Sequence, residues 1–326
     1  MRRRASLVLL AVAVFCTALA PLLRWYAYPR LAKIPPNQYQ EVVLEAKDAT
    51  LLDYNAGMQP KKVDKVTIVQ TLKGNVEASR EIEASAGKDV VVWDTLTYIT
   101  GPDGKMVSQI PERYIFDAHS QDPVHATGEA VDGDPVKREG IEFKWPFFTE
   151  PRDYLYFDQQ TRTSSPIHYV GPRKFKGMDV YYYEQTIPWT KVSLPKKMPI
   201  EGIDPATFEQ TTGTSLWYST KAMFWVDPVT GAPVNAEQEI QQEMRGGSIA
   251  AAAPDGRLTV FAGHVKMRED YSNYTVDLVK ANRTKVLALH TYAPAGLAAG
   301  GLALFGLALW LEARGRRPRH EEPFSA

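Results

Sequence analysis

Six histidines are the side chains of this 326-residue chain best suited to proton transfer or metal binding: His119, His125, His168, His264, His290 and His320. His119 and His125 share a segment with Asp117, Asp122 and Glu129. Their spacing matches no compact ligand motif, so the segment reads as a polar surface loop. Asp132, Asp134 and Glu139 lack the alternating run of a calcium loop. His290 borders an apolar run, and His320 lies in the tail. The sequence holds no G-x-S-x-G elbow, no P-loop and no dinucleotide fingerprint. Paired glycosidase carboxylates need only the right separation in space, which keeps an anchored hydrolase of envelope polymers as the least favoured reading. The expectation is a protein that is not an enzyme, with no cofactor and no metal.

Aromatic residues offer a different chemistry. Trp145, Phe147, Phe148, Tyr154, Tyr156 and Phe157 form the densest cluster. Such rings line grooves for acyl chains or stack on sugars, so Trp145, Phe147, Phe148, Tyr154 and Tyr156 are candidate ligand contacts. The competing reading makes them the core of a β domain. Strand alternation puts Tyr154 and Tyr156 on one face and Phe157 on the other.

Two apolar runs govern where these residues can be. Arg2, Arg3 and Arg4 precede Ala5–Leu23, and Ala293–Leu311 precedes Arg314, Arg316, Arg317 and Arg319. Each run has about 19 residues, close to the ~20 that a helix needs to cross a bilayer. Arginine-rich flanks stay cytoplasmic. The layout expected is a cytoplasmic N-terminus (1–4), a signal-anchor helix (5–23), an extracytoplasmic domain (24–292), a second helix (293–311) and a short polar cytoplasmic tail (312–326). Ala18-Leu19-Ala20 resembles a signal-peptidase exit, but Pro21 follows it and the run is long for a cleaved signal. Trp25, Tyr26 and Tyr28 suit an interfacial belt. Cys16, the single cysteine, rules out an intrachain disulfide. Gly296 and Gly300 form a G-x-x-x-G pair, suited to packing on the first helix or on a second copy of the chain.

Between these runs the sequence reads as mainly β. Val63–Leu72, Val90–Ile99, Met106–Ile110, Val180–Ile187, Ala222–Val226, Val234–Ile240 and Leu258–Met267 have strand character. Gly101-Pro102-Asp103-Gly104 and Asp227-Pro228-Val229-Thr230-Gly231 are turns. Helical signals are scarce, the best running from Ser272 towards the second apolar run, with Pro294 able to kink it. Pro188–Thr214 is a long irregular stretch, and a subdivision could fall near 133–151. The fold expected is a large antiparallel β ectodomain, a sandwich or an incomplete barrel, flanked by an N-terminal and a C-terminal transmembrane helix. Zero net charge gives no footprint for nucleic acid.

The chain resembles an actinobacterial family of envelope proteins known as PorA-type porins. The resemblance covers nearly the full length. It rests on the anchor–ectodomain–anchor order and on two stretches: Lys144–Glu150 leading to Asp153–Asp158, and Trp225–Gly231. It brings no catalytic residues. A membrane barrel needs unbroken apolar strands of ~9–11 residues, whereas these strands are short, charged and interrupted by prolines. The function expected is therefore a non-catalytic, membrane-anchored envelope protein of the plasma membrane. Its partners would be the lipid bilayer and a lipid, a cell-wall glycan or another envelope protein, with a homo-oligomer through the C-terminal helix as a further option. The alternative is a pore-forming, porin-type component.

Overall fold

The computed structural model describes residues 2–54, 57–197, 204–251, 253 and 255–315. Arg316, Arg317, Arg319 and His320 of the tail, and 198–203 of the long irregular stretch, lie outside them. The fold is mainly β, with 43% strand and 31% helix. It divides into two compact units, Ile34–Ala281 and the two chain ends, Met1–Lys33 with Asn282–Ala326. The stretch 133–151 lies inside the first unit.

The unit Ile34–Ala281 is built on one antiparallel sheet of twelve strands. They are β1 (Tyr39–Asp53), β2 (Gln59–Gly74), β3 (Val90–Thr100), β4 (Met106–Asp117), β5 (Ala130–Val131), β6 (Asp134–Pro135), β7 (Tyr154–Asp158), β8 (Thr163–Phe175), β9 (Met178–Val192), β10 (Ser215–Val226), β11 (Pro233–Arg245) and β12 (Arg257–Met267). Their order is 6-5-4-3-2-1-12-11-10-9-8-7. The sheet is thus two meanders joined where β1 pairs with β12, and its two edges, β6 and β7, are consecutive in sequence. β8 changes partner along its length: its first half pairs with β7 and its second with β9, across a bulge at Tyr169–Gly171.

Alternation along the strands sorts the side chains onto two faces. Val91 and Trp93 of β3 pack with Leu72, Tyr114 and Phe116, while Val90 and Val92 pack with Ile115 on the opposite side. Two α-helices, Val76–Ala86 and Glu269–Leu287, cover parts of the second face. Helix α1 is Arg2–Pro21, α2 is Tyr28–Leu31 and α3 is Val76–Ala86; Ala78 and Ile82 of α3 lie against Val90 and Val92. Further on come α4 (Phe208–Thr212), α5 (Gly247–Ala250) and α6 (Glu269–Leu287). Val276 and Val279 of α6 cover Met178, Val180 and Val234. Helix α3 was not expected from the sequence. It is capped by Asn75, whose Oδ1 accepts from Ala78 N at 3.0 Å, and ends at Gly87 with φ 67°.

The first face turns inward. Leu52 of β1, Ile187 of β9, Tyr218 of β10 and Met244 of β11 share one buried cluster. Ile110 of β4 and Val131 of β5 meet Phe157 of β7 in another. The ends of the sheet therefore come together through side chains, not through a ladder, and the fold formed is the incomplete barrel and not the sandwich.

The second unit contains both apolar helical runs. α1 passes through a π-helical turn, Leu22–Ala27, into α2; α6 passes through another, Ala288–Tyr292, into α7 (Ala293–Gly315). Each π turn ends two residues before a proline, Pro29 and Pro294. A proline ring clashes with the carbonyl four residues back and supplies no N–H, and the widened turn relieves both faults. Both runs contain an apolar stretch long enough to cross a membrane.

Candidate functional site

The chain between β6 and β7 does not stay on the surface; it runs into the interior of the rolled sheet. Ile141 N donates to Leu155 O at 2.9 Å, and Phe157 N donates to Ile141 O at 3.0 Å, so the segment sits against the free edge of β7. Farther along, Trp145 N donates to Gly231 O at 2.8 Å and Phe148 N to Val229 O at 3.0 Å. These bonds join the two sequence stretches that carry the family resemblance. Asp227 shapes the turn they meet at, its Oδ2 accepting from Thr230 N and Oγ1 at 2.8 Å each. Gly231 is required there: its φ is 71°, and a Cβ would lie 2.1 Å from Trp145 O.

The interior end of the segment is aromatic. Trp145 is 0% exposed, with ring centroids of Tyr156, Tyr183 and Phe224 at 5.5, 5.2 and 5.3 Å. Tyr156 and Phe224 are 5.2 Å apart, and Tyr154 and Tyr183 6.0 Å. Of the five aromatic candidates, three, Trp145, Tyr154 and Tyr156, come together in this cluster. Phe147 and Phe148 stay half-buried outside it, with Lys144 Nζ 4.0 Å from the Phe147 ring centroid. Tyr183 and Phe224 complete the cluster from β9 and β10; the sequence marks them only as strand residues. Phe157 is also buried, on the opposite face of β7 from Tyr156, as alternation requires.

Seven residues before Trp145, the same segment carries a charge into the interior. Arg138 is 0% exposed. Its Nη2 donates to Glu112 at 2.7 Å, its Nε to Glu142 at 2.8 Å and its Nη1 to Glu129 at 3.3 Å. Its guanidinium lies 4.5 Å from the Phe157 ring centroid. Three carboxyls around one cation leave negative charge in excess. Burial pushes Glu142 well above the ordinary carboxylate range, with the charge of Glu112 adding to the shift. Burial also raises Glu112, against the pull of Arg138. Burial opposes the charge on Arg138, but Glu142 and Glu112 outweigh it and hold the guanidinium protonated. Near the aromatic end, burial pushes the amine of Lys144 down to about 7, and Asp227 opposes the shift. Lys144 as a whole is half-buried; its Nζ donates to Trp145 O at 2.9 Å.

The remaining candidates are dispersed. His168 meets Asp153 at 2.8 Å, His119 meets Asp89 at 2.9 Å, His264 meets Glu237 at 2.8 Å, and His125 lies 3.6 Å from Glu129. Among the described residues, no group of three or more His, Cys, Asp or Glu side chains is placed to hold a metal ion. Asp132 Oδ2 accepts from Lys196 N at 2.7 Å, and Asp134 pairs with Arg162 at 2.7 Å. In the other unit, α1 and α7 approach at Gly301, where a Cβ would lie 2.6 Å from Thr17 Oγ1 and 3.1 Å from Ala13 O. Ser6 Oγ donates to Ala308 O at 3.1 Å farther along the same contact. Gly296 and Gly300 face open space.

The family described as porin PorA matches residues 5–310, a span that includes most of both apolar helices and the whole sheet. A porin PorA of Corynebacterium resistens is 29% identical over 164 residues, covering 36% of this chain and 40% of that protein. A porin PorA of Corynebacterium amycolatum is 25% identical over 224 residues, 58% of each chain. The matches thus span about half the length of these curated relatives. With the two apolar helices, this likeness points to a membrane or envelope location. The chain belongs to the porin PorA family.

Proposed function

We propose that this chain is a membrane-anchored, porin-type envelope component that catalyses no reaction. Its two apolar helices cross the plasma membrane, and the rolled sheet lies on the extracytoplasmic side. The observation that carries the reading is the family match over 5–310, bounded at both ends by helices long enough to span a bilayer. The arginines beside each helix support cytoplasmic tails. The interior of the rolled sheet is occupied by Arg138, Trp145 and their partners, so a passage for solutes runs between copies of the chain and not through one sheet. Planar-bilayer recording on the full-length protein tests this. Conductance should rise more steeply than in proportion to protein concentration, as assembly requires. Silence at every voltage and concentration overturns the pore.

A second reading has its own support. Phe147 and Phe148 remain half-buried beside the Trp145 cluster, where they could contact a lipid, a glycan or a protein partner of the envelope. Native mass spectrometry of the full-length protein in detergent should then show a copurifying lipid or glycan that Phe147→Ala and Phe148→Ala release. Unliganded spectra in repeated preparations would count against it.

A further inference from the structure

We propose that the end of the helix pair holding both π-helical turns is a collar that binds anionic lipid headgroups. Arg24, Arg30 and Lys33 reach it from the N-terminal run, Arg283 and Lys285 from the C-terminal run. No Asp or Glu lies in 22–33 or in 282–292. The ring contact of Tyr28 with His290, at 4.6 Å and 68°, sets the two turns at one level. The five cations therefore gather at the same end of the pair. Around them Trp25, Tyr26 and Tyr292 are 75, 54 and 64% exposed, as an interfacial belt requires. Arg30 lies over the Tyr26 ring at 3.7 Å, so the belt and the charge are one surface.

Two further points select phosphate-bearing lipid as the occupant. Six residues of helix, from Arg24 to Arg30, rise about 9 Å. That is a headgroup layer plus the reach of long basic side chains. Guanidinium groups also match phosphate oxygens in pairs. On the orientation proposed above, the collar lies on the extracytoplasmic side. The inference rests on the helices spanning a bilayer and holds for either orientation.

The test uses full-length protein in neutral detergent, titrated with phosphatidylglycerol or phosphatidylcholine and read by native mass spectrometry. Phosphatidylglycerol should be retained in preference. Each cation near an anionic surface strengthens attachment about fivefold, so Arg24→Gln/Arg30→Gln/Lys285→Gln should weaken retention at least about tenfold. Arg2→Gln/Arg3→Gln/Arg4→Gln/Arg314→Gln, at the other end, should keep most of it. Equal retention of the two lipids, or a preference lost only in the second variant, overturns the collar. Inorganic phosphate displacing the lipid at equal concentration also overturns it, in favour of a free-anion site. Alkaline extraction of membranes separates the two failures: protein that washes off refutes the spanning helices, while protein that stays without lipid preference refutes the collar alone.

Discussion

The rolled sheet and the helix pair both bring distant parts of the chain together without a disulfide, and they do so with opposite residues. In the sheet the contact is made by bulk and charge: Trp145 and Arg138, both fully buried, fill the space between strands that are far apart in sequence. In the helix pair it is made by smallness: Gly301 lets α7 approach the backbone of α1 at Ala13. With the helices spanning a bilayer as proposed, the difference follows from solvent. In water, burying a large ring removes apolar area from solvent and stabilises the fold. In hydrocarbon that gain vanishes, and close backbone approach with interhelical hydrogen bonds takes its place. Ser6 donating to Ala308 is such a bond.

The comparison predicts where the chain breaks. The largest effect should come from Arg138→Leu, which leaves Glu112, Glu129 and Glu142 buried without their cation. Removing one partner of a buried pair costs about 3–5 kcal/mol, and three carboxyls place this variant at the upper end. Urea unfolding of the full-length protein in detergent, followed by tryptophan fluorescence, should show that loss. A cost below about 1 kcal/mol would mean the cluster is solvated. Trp145→Ala comes next, at about 3–5 kcal/mol, because its cavity is walled by Tyr156, Tyr183 and Phe224.

The helix pair should answer in the reverse sense, to added volume. Gly301→Leu should cost about 1–3 kcal/mol of helix contact, while Gly300→Leu, which faces open space, should leave α1 and α7 together. Cysteines replacing Ser6 and Ala308, in a Cys16→Ser background, report this by crosslinking. The yield should drop with Gly301→Leu and hold with Gly300→Leu; equal yields would mean that the close approach does not set the pairing.

The same contrast explains what could be read in the sequence. Strands with β-branched runs between Gly and Pro turns were legible, because alternation and turn chemistry are local. β1 was not, since Lys47 and Asp48 interrupt its pattern at a bulge where Asp48 has φ 52°. Helix α3 was hidden because its apolar contacts with the sheet are Ala78 and Ile82, and its fully buried residue is Ser79, whose Oγ accepts from Val92 N at 3.0 Å. The aromatic patch at Trp145 was visible, but its neighbours Tyr183 and Phe224 lie 38 and 79 residues away in sequence, a distance no local pattern spans. Glu112, Glu129, Arg138 and Glu142 look like ordinary surface charge until the fold encloses them. Gly296 and Gly300 match a packing motif, yet the contact with α1 falls one residue later.

The smallest predicted effect is the response to pH, which arises at the two ends of the buried segment with opposite sign. Glu142 and Glu112 hold protons more tightly folded than unfolded. Their contribution is fully present below the unfolded carboxylate value and is lost as pH rises through the raised one. Lys144 is the reverse, since its folded value of about 7 lies below the ordinary 10.5. Its contribution is present above the unfolded value and is lost as pH falls through 7. Stability should therefore decline as pH rises out of the carboxylate range, pass a minimum near neutrality and recover towards the alkaline side. Glu142→Gln should flatten the acid limb only and Lys144→Met the alkaline limb only. If urea midpoints from pH 5 to 9 stay level in the unsubstituted protein, neither end of the segment is shielded from water, and the contrast between a filled sheet interior and a close-packed helix pair loses its basis.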